Sequence, residues 1–267
     1  MFKTFLTSLG VLALALVPGA RSVGAGAEGP CDGLPSHASL KAALTTARNA
    51  GNGGFNLDMW GTVVNRDGIV CAVAFTGGNR GDQWPGSRVI SAQKANTANA
   101  FSLPGLALST ANLYSAVQPG GSLFGLQLSN PVNTDVAYGG NAQQFGQPND
   151  PMVHGRIGGI NVFGGGLGLY NSTGKLVGAI GVSGDTSCAD HNIAWRTRST
   201  LNLDYVPAGP AAIFAGDATH PDNIIFDITP QAGQMPGISA SGFGHPHCGP
   251  GPAEGESAIA AALPATK

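Results

Sequence analysis

Two histidines occupy positions where a side chain could bind a metal, and His191 is the stronger candidate. It lies in the first turn of a helix predicted over 187–201, where Ser187 and Asp190 have the spacing of a capping box. The positive end of a helix dipole disfavours a protonated imidazole, so His191 should stay neutral with a nitrogen lone pair free. Asp190 could orient the ring, although capping is its favoured role. The alternative for His191 is a partly exposed histidine beside a helix cap.

The second histidine, His154, lies near the end of a long polar segment, residues 118–156, that is rich in Gly, Asn, Pro and Gln. Loops of this length are usually functional or disordered. Aromatic residues within the segment favour an ordered loop that packs on the rest of the protein. His154 is therefore a candidate second metal ligand, with Met152 as a softer alternative. A solvated loop histidine would explain the same residue.

The first 27 residues have the features of a signal peptide. Lys3 precedes an apolar run that is too short to span a bilayer, and small residues follow it. We therefore expect a secreted or periplasmic protein. No later segment approaches the roughly 20 apolar residues of a membrane span, so no stable membrane insertion is predicted.

Four widely spaced cysteines favour two disulfide bonds in such an exported chain: Cys31, Cys71, Cys188 and Cys248. Three pairings are possible. We favour Cys31–Cys71 and Cys188–Cys248, because each would tie an irregular terminal segment to a regular element. The alternative is a zinc site formed by Cys188, His191, His247 and Cys248.

Composition and motifs exclude several classes of function. Charged residues are only 10% of the chain and the formal net charge is −2, which gives no electrostatic basis for binding nucleic acid. The sequence contains neither a phosphate-binding G-x-x-x-x-G-K-[ST] loop nor an H-E-x-x-H zinc motif. No catalytic residue is assigned.

The predicted secondary structure follows the order helix, hairpin, helix, loop, hairpin, helix. Apolar periodicity and turn residues predict helices over 39–50, 87–101 and 187–201, and strands over 62–64, 69–75, 159–170 and 175–183. A short helix over 106–117 and a strand over 223–228 are also expected. Because strict βαβ alternation is missing, the pattern predicts an α/β fold of the α+β type, with a mostly antiparallel sheet covered by helices.

Three segments resemble the GlcG/HbpS family. Residues 91–98, which contain Lys94 and Thr97, resemble its A-x-x-K-A-x-T-A helix. Residues 164–170 look like its Gly-Gly turn into a strand. Residues 178–184, followed by Asp190 at the start of a helix, resemble its G-A-I-G-V-S-G…D signature. The resemblance covers roughly residues 38–201.

The resemblance implies a profilin-like antiparallel sheet flanked by helices in three α/β/α layers. It also implies binding of haem or a related tetrapyrrole, with assembly into a homo-oligomer. Iron would be held by His191 or His154. Lys94 would supply a cation for a propionate, and Thr97, one turn later, would add a hydroxyl. Ser183 and Gly184 belong to the turn at 183–186, which leads into a helix N-terminus that can bind a propionate. Asp190 could orient the His191 ring. Helix capping alone would explain the residues of that turn.

These patterns divide the chain into a signal peptide over 1–27, a GlcG/HbpS-like domain over 28–204 with an insertion over 118–156, an irregular extension over 205–248 and a disordered tail over 249–267. The favoured hypothesis is an exported haem-binding protein. The alternatives are a haem-degrading or other small-molecule enzyme that uses the same pocket, and a structural oligomeric module without a ligand. Binding is favoured over catalysis.

Overall fold

The computed structural model describes residue 1, residues 29–249 and residues 255–267. The predicted signal peptide therefore lies outside the described residues, apart from its first residue. The main helices are α1 His37–Arg48, α2 Ser87–Phe101, α3 Leu126–Ser129, α4 Thr134–Tyr138, α5 Ser187–Thr200, α6 Pro210–Phe214 and α7 Glu256–Ala261. The strands are β1 Trp60–Asn65, β2 Val70–Phe75, β3 Gly166–Tyr170, β4 Leu176–Ser183, β5 Ile228–Gln231 and β6 Gln234–Ser239.

The central sheet has four strands in the order β2-β1-β4-β3, and every neighbouring pair is antiparallel. Strands β5 and β6 form a separate antiparallel pair. The two predicted hairpins, β1–β2 and β3–β4, are both present, and β1 joins them by pairing with β4 along its whole length. The predicted antiparallel sheet is confirmed.

Helices cover both faces of this sheet. Successive strand residues point to opposite faces, so Val63 and Val64 enter different cores. Val63 packs with Leu40 and Leu44 of α1 and with Ile193 of α5. Val64 packs with the apolar side of α2. The predicted three-layer α/β/α fold is therefore confirmed, with α1 and α5 on one face and α2 on the other.

Helix α2 lies unusually close to the sheet because glycines face it. A Cβ atom at Gly181 of β4 would overlap the carbonyl oxygen of Ser91, and one at Gly166 of β3 would meet the carbonyl oxygen of Lys94. Only hydrogen at these positions lets the helix backbone rest directly on the strands. The glycines of the family-like segments thus determine the depth of α2.

Several local predictions are wrong. Helix α1 begins two residues earlier than expected because Ser36, rather than Ser39, is the N-cap, and its hydroxyl accepts the Ser39 N–H. The expected helix over 106–117 is two short 3₁₀ turns, Ala111–Leu113 and Ser115–Val117. The expected strand over 223–228 is irregular up to Ile228, where β5 begins.

The predicted disorder of the tail is wrong for residues 255–267. These residues form α7 and a last segment that returns to the domain. The indole Nε1 of Trp195 donates a hydrogen bond to the Pro264 carbonyl at 2.8 Å, and Leu263 is buried in the core beneath α1 and α5. Tertiary contacts order a sequence whose own pattern is too weak to predict a helix.

Within residues 29–249 and 255–267, no helix is both long enough and apolar enough to cross a bilayer.

The close approach of α2 gives a stability test at Gly181. We expect Gly181→Ala to lower the free energy of unfolding by about 3 kcal/mol, because the added methyl group must displace the α2 backbone. Gly105→Ala is the matched control, since a Cβ there meets no atom within 4 Å. Urea unfolding followed by circular dichroism measures both variants. Equal stabilities of the two variants would contradict the proposed packing.

Candidate functional site

A buried ion pair lies at the centre of the family-like segments. The Nζ atom of Lys94 on α2 lies 2.7 Å from Oδ2 of Asp190 on α5, and it also donates to the Val182 carbonyl at 3.1 Å. Both side chains are almost completely buried. The pair therefore joins the helices of the two outer layers across the end of β4.

The triple glycine before β3 covers this ion pair. A Cβ atom at Gly165 would lie 3.1 Å from both the Lys94 Nζ atom and the Asp190 Cβ atom, and the φ angle of Gly165 is +119°. A Cβ atom at Gly164 would overlap the Ser187 carbonyl oxygen at the start of α5. The glycines permit a chain conformation that seals the pair from solvent.

Burial has a clear electrostatic effect on Asp190. Removal from water raises the pKa of its carboxyl group to about 6, against the opposing influence of the Lys94 ammonium. At neutral pH the carboxylate is therefore mostly ionised, and the pair is a charged one.

The start of α5 differs in detail from the predicted capping box. Thr186, not Ser187, is the N-cap, and its hydroxyl accepts the Ala189 N–H at 3.3 Å. The Asp190 carboxylate instead reaches back to the Asp185 N–H at 2.9 Å. Asp185 in turn accepts the N–H groups of Phe55 and Leu57, which connects α5 to the loop before β1.

His191 is completely buried behind the segment 220–224. Its Nε2 atom lies 3.1 Å from Oδ1 of Asn223, while its Nδ1 atom has no hydrogen-bond partner among the described residues. The Ile224 N–H donates to the same Nε2 atom at 3.2 Å, so Nε2 lies against one acceptor and one donor. Burial lowers the pKa of His191 to about 4. The imidazole is thus neutral at neutral pH, but it is enclosed.

The remaining predicted residues of this region make internal contacts. Thr97 accepts the Asn161 N–H at 2.9 Å and fixes the loop before β3. The Ser183 hydroxyl donates to that of Ser87 at 3.2 Å, which links β4 to α2. Gly184 has no room for a side chain against the backbone of Asp58 and Met59. Each residue therefore has a structural contact that accounts for it.

His154 lies in a different place. It is exposed, on the segment that runs along the edge of β2, and its N–H donates to the Val70 carbonyl at 2.8 Å. The adjacent Gly155 carbonyl accepts the Val70 N–H at 2.9 Å. The φ angle of His154 is +69°, so these bonds hold it in the left-handed region. The structure thus gives no contact that brings His154 and His191 into one site.

The arginines of the domain divide between buried and exposed positions. Arg88 is buried and pairs with Asp150 through its Nε atom at 2.9 Å. Arg196 bonds to the Asn52 side chain at 3.1 Å. Arg156 is exposed and uses its Nε atom to hold the Asp67 carbonyl. Sequence reasoning missed a further buried pair, Arg198 with Asp222, at 2.6 and 2.9 Å.

Both favoured disulfides are formed, Cys31–Cys71 and Cys188–Cys248. The second bond joins the first turn of α5 to the C-terminal extension. His245, rather than His191 or His247, is the histidine beside it. The only signal for His245 in the sequence is the His-x-His spacing next to Cys248.

Four surface clefts stand out in the described chain, and none of them is lined by a predicted haem-binding residue. The largest, with a volume of about 340 Å³, lies between residues 115–122 and 237–242. Neither the turn 183–186 nor His154 lines one of these four clefts.

Together these features define a three-layer α/β/α domain with a buried lysine–aspartate pair beneath a glycine turn. The family model described as haem-degrading protein HbpS-like matches residues 36–198. Since this match covers more than half of the chain, the protein belongs to the HbpS-like family, as its sequence segments indicated.

Three solved structures are similar to part of this chain. The PduOC–haem complex is 22% identical, with a TM-score of 0.43, and the match covers 62% of this chain and 91% of that one. The Klebsiella pneumoniae protein ORFY is 25% identical, with a TM-score of 0.41 and coverages of 62% and 90%. HbpS is 16% identical, with a TM-score of 0.37 and coverages of 62% and 86%. A comparison with curated proteins found no significant match.

The ion pair predicts strong coupling between Lys94 and Asp190. Lys94→Met and Asp190→Asn should each lower the free energy of unfolding by about 3–5 kcal/mol, because each leaves one buried charge alone. The double variant should lower the free energy of unfolding by clearly less than the sum of the two single variants. Urea unfolding of all four proteins gives this coupling energy. The exposed Lys175→Met variant is the control, with an expected change within about 0.5 kcal/mol. Additive effects would contradict the assignment.

Proposed function

We propose that the protein binds haem or a related tetrapyrrole after export, and that the binding surface is the His154 edge. This name refers to the exposed face formed by His154, Arg156 and the neighbouring valines Val132, Val136 and Val153. Family membership supports a haem-related protein. The exposed imidazole of His154 is the single observation that supports this location.

Access distinguishes the two candidate iron ligands. The His154 side chain is exposed, whereas His191 is reached only if residues 220–224 move away from α5. An iron atom at the centre of a flat macrocycle needs free space around the imidazole nitrogen. His154 meets this requirement in the observed conformation, and its backbone is already fixed by the two hydrogen bonds to Val70.

The surroundings of His154 match the other parts of a haem. Val132, Val136 and Val153 are only partly buried and can contact an apolar ring. The exposed Arg156 follows two residues later, and a guanidinium can form paired hydrogen bonds with a propionate. All of these residues come from the insertion over 118–156.

On this proposal the family-like residues act at a distance from the ligand. Lys94, Thr97, Ser183, Gly184 and Asp190 hold α2, α5 and the glycine turn together. His191 is the alternative iron ligand, because its Nδ1 atom has no hydrogen-bond partner among the described residues. Binding there would require the C-terminal extension to open.

Degradation of haem is the second candidate function, because the matching family is described as haem-degrading. If the protein is an enzyme, reductant and oxygen should convert the bound haem into a single defined product. A mixture of products would be typical of uncatalysed oxidation and would contradict this candidate. Assembly into a homo-oligomer stays a prediction.

Export is supported by the signal-like residues 1–27 and by two formed disulfides, which persist in oxidising compartments. A secreted or periplasmic location is the corresponding proposal. N-terminal sequencing of the protein recovered from its native host tests it directly, because an intact residue 1 would contradict cleavage and export.

Haemin titration followed by the Soret band tests the binding proposal. We expect saturable binding by the wild-type protein and roughly a tenfold or greater loss of affinity in His154→Ala, since an iron ligand is removed. His247→Ala removes an exposed histidine outside the insertion over 118–156 and should bind normally. Loss of binding in His191→Gln with normal binding in His154→Ala would assign the site to His191. A flat wild-type titration would overturn the proposal.

A further inference from the structure

The Cys188–Cys248 disulfide has surroundings that the haem proposal does not explain. The two sulfur atoms and a ring nitrogen of His245 all lie within 4.8 Å of one another. Two sulfur atoms and one imidazole are the ligands of a known class of zinc site, in which the fourth position is open. Among the described residues, Cys31 and Cys71 belong to no such cluster.

The hydrogen bonds of His245 determine which ring nitrogen carries the proton. Its Nδ1 atom lies 2.7 Å from the Pro246 carbonyl, which can only accept, so Nδ1 carries the proton. Nε2 therefore presents its lone pair, 3.2 Å from the Ser187 hydroxyl. A ring N–H fixed by a backbone carbonyl is the usual arrangement behind a metal-binding histidine. His245 is 1% exposed, so this orientation is held by packing.

The start of α5 is arranged to stabilise negative charge on sulfur. The Cys188 N–H donates to the Cys248 Sγ atom at 3.1 Å, and the Ser187 hydroxyl lies 3.3 Å from the same atom. Cys188 itself is the second residue of this 14-residue helix. N–H groups and the helix dipole at this end favour thiolates over thiols.

The two sulfur atoms differ in access. Cys188 is 3% exposed, whereas Cys248 is only partly buried. An external dithiol can therefore attack the Cys248 sulfur, which breaks the S–S bond and releases Cys188 as a thiolate. The second thiol of the reductant then displaces Cys248, so that one external disulfide and two protein thiols result.

From this geometry we propose that Cys188, Cys248 and His245 form a redox-gated site for a thiophilic divalent cation of the Zn²⁺ class. In the oxidised protein the disulfide blocks the site. After reduction, one cation binds both sulfur atoms and the His245 Nε2 atom, and two protons leave the thiols. A water molecule or an external ligand fills the fourth position. The zinc site considered from the sequence is thereby moved from His191 and His247 to His245.

Cobalt binding tests this site, because Co²⁺ bound to thiolates gives a charge-transfer absorption band. The full exported protein is reduced with a phosphine, freed of the reductant without oxygen and titrated with Co²⁺, and Zn²⁺ is then added. We expect no band before reduction, a band that saturates at one Co²⁺ per chain after reduction, and loss of that band on addition of Zn²⁺.

Three variants separate this site from other thiols. Cys31→Ser/Cys71→Ser should keep the band, and Cys188→Ser/Cys248→Ser should lose it. His245→Gln should weaken binding roughly tenfold or more, since removal of a direct ligand costs at least as much as removal of an outer one.

A missing band in the reduced wild-type protein would overturn the proposal. So would normal binding by His245→Gln, which would indicate thiols of an unfolded chain. The titration contains no haem, so its failure leaves the haem proposal unchanged.

Discussion

The buried contact between Lys94 and Asp190 is the constraint on which the rest of the structure depends. Two opposite charges are stable out of water only when they meet each other and further hydrogen-bond partners. Lys94 donates a hydrogen bond to the Val182 carbonyl, and Asp190 accepts one from the Asp185 N–H. These partners belong to β4 and to the turn before α5, so the pair fixes α2, the sheet and α5 relative to one another.

Two consequences follow for function. Lys94, Thr97 and Asp190, which the family resemblance singles out, are buried in this conformation. The position of α5 also determines where His191 and Cys188 lie, both of them beneath the C-terminal extension. On the proposal above, the ligand binds outside this scaffold, at the His154 edge, where His154 and Arg156 are both exposed.

Much of the fold could be predicted because its signals are local. The β-branched apolar runs of β1 and β2, the turn between them and the apolar spacing of α2 all lie within short segments. The disulfide pairing also followed from the position of each cysteine relative to regular elements. In contrast, Lys94 and Asp190 are 96 residues apart, and nothing local indicates that they meet.

The wrong predictions also come from contacts between residues that are distant in the sequence. Thr186 rather than Ser187 caps α5 because Asp190 is engaged by Lys94 and Asp185. Residues 255–267 are ordered because Pro264 accepts a hydrogen bond from Trp195 and Leu263 packs in the core. Their own sequence consists mostly of small residues without a clear pattern. The burial of Arg88 and Arg198 depends on Asp150 and Asp222, distant partners that no periodicity reveals. Burial of His191 likewise comes from Asn223 in the extension.

The central claim is that a tetrapyrrole binds at the His154 edge while the region around Lys94, Asp190 and His191 remains closed. Amide hydrogen exchange of the protein with and without haemin tests this most directly, because it locates the contact along the chain. The account predicts slower exchange in residues 132–136 and 153–158, with no change in residues 187–193 and 220–226. Protection confined to residues 187–193 and 220–226 would contradict it.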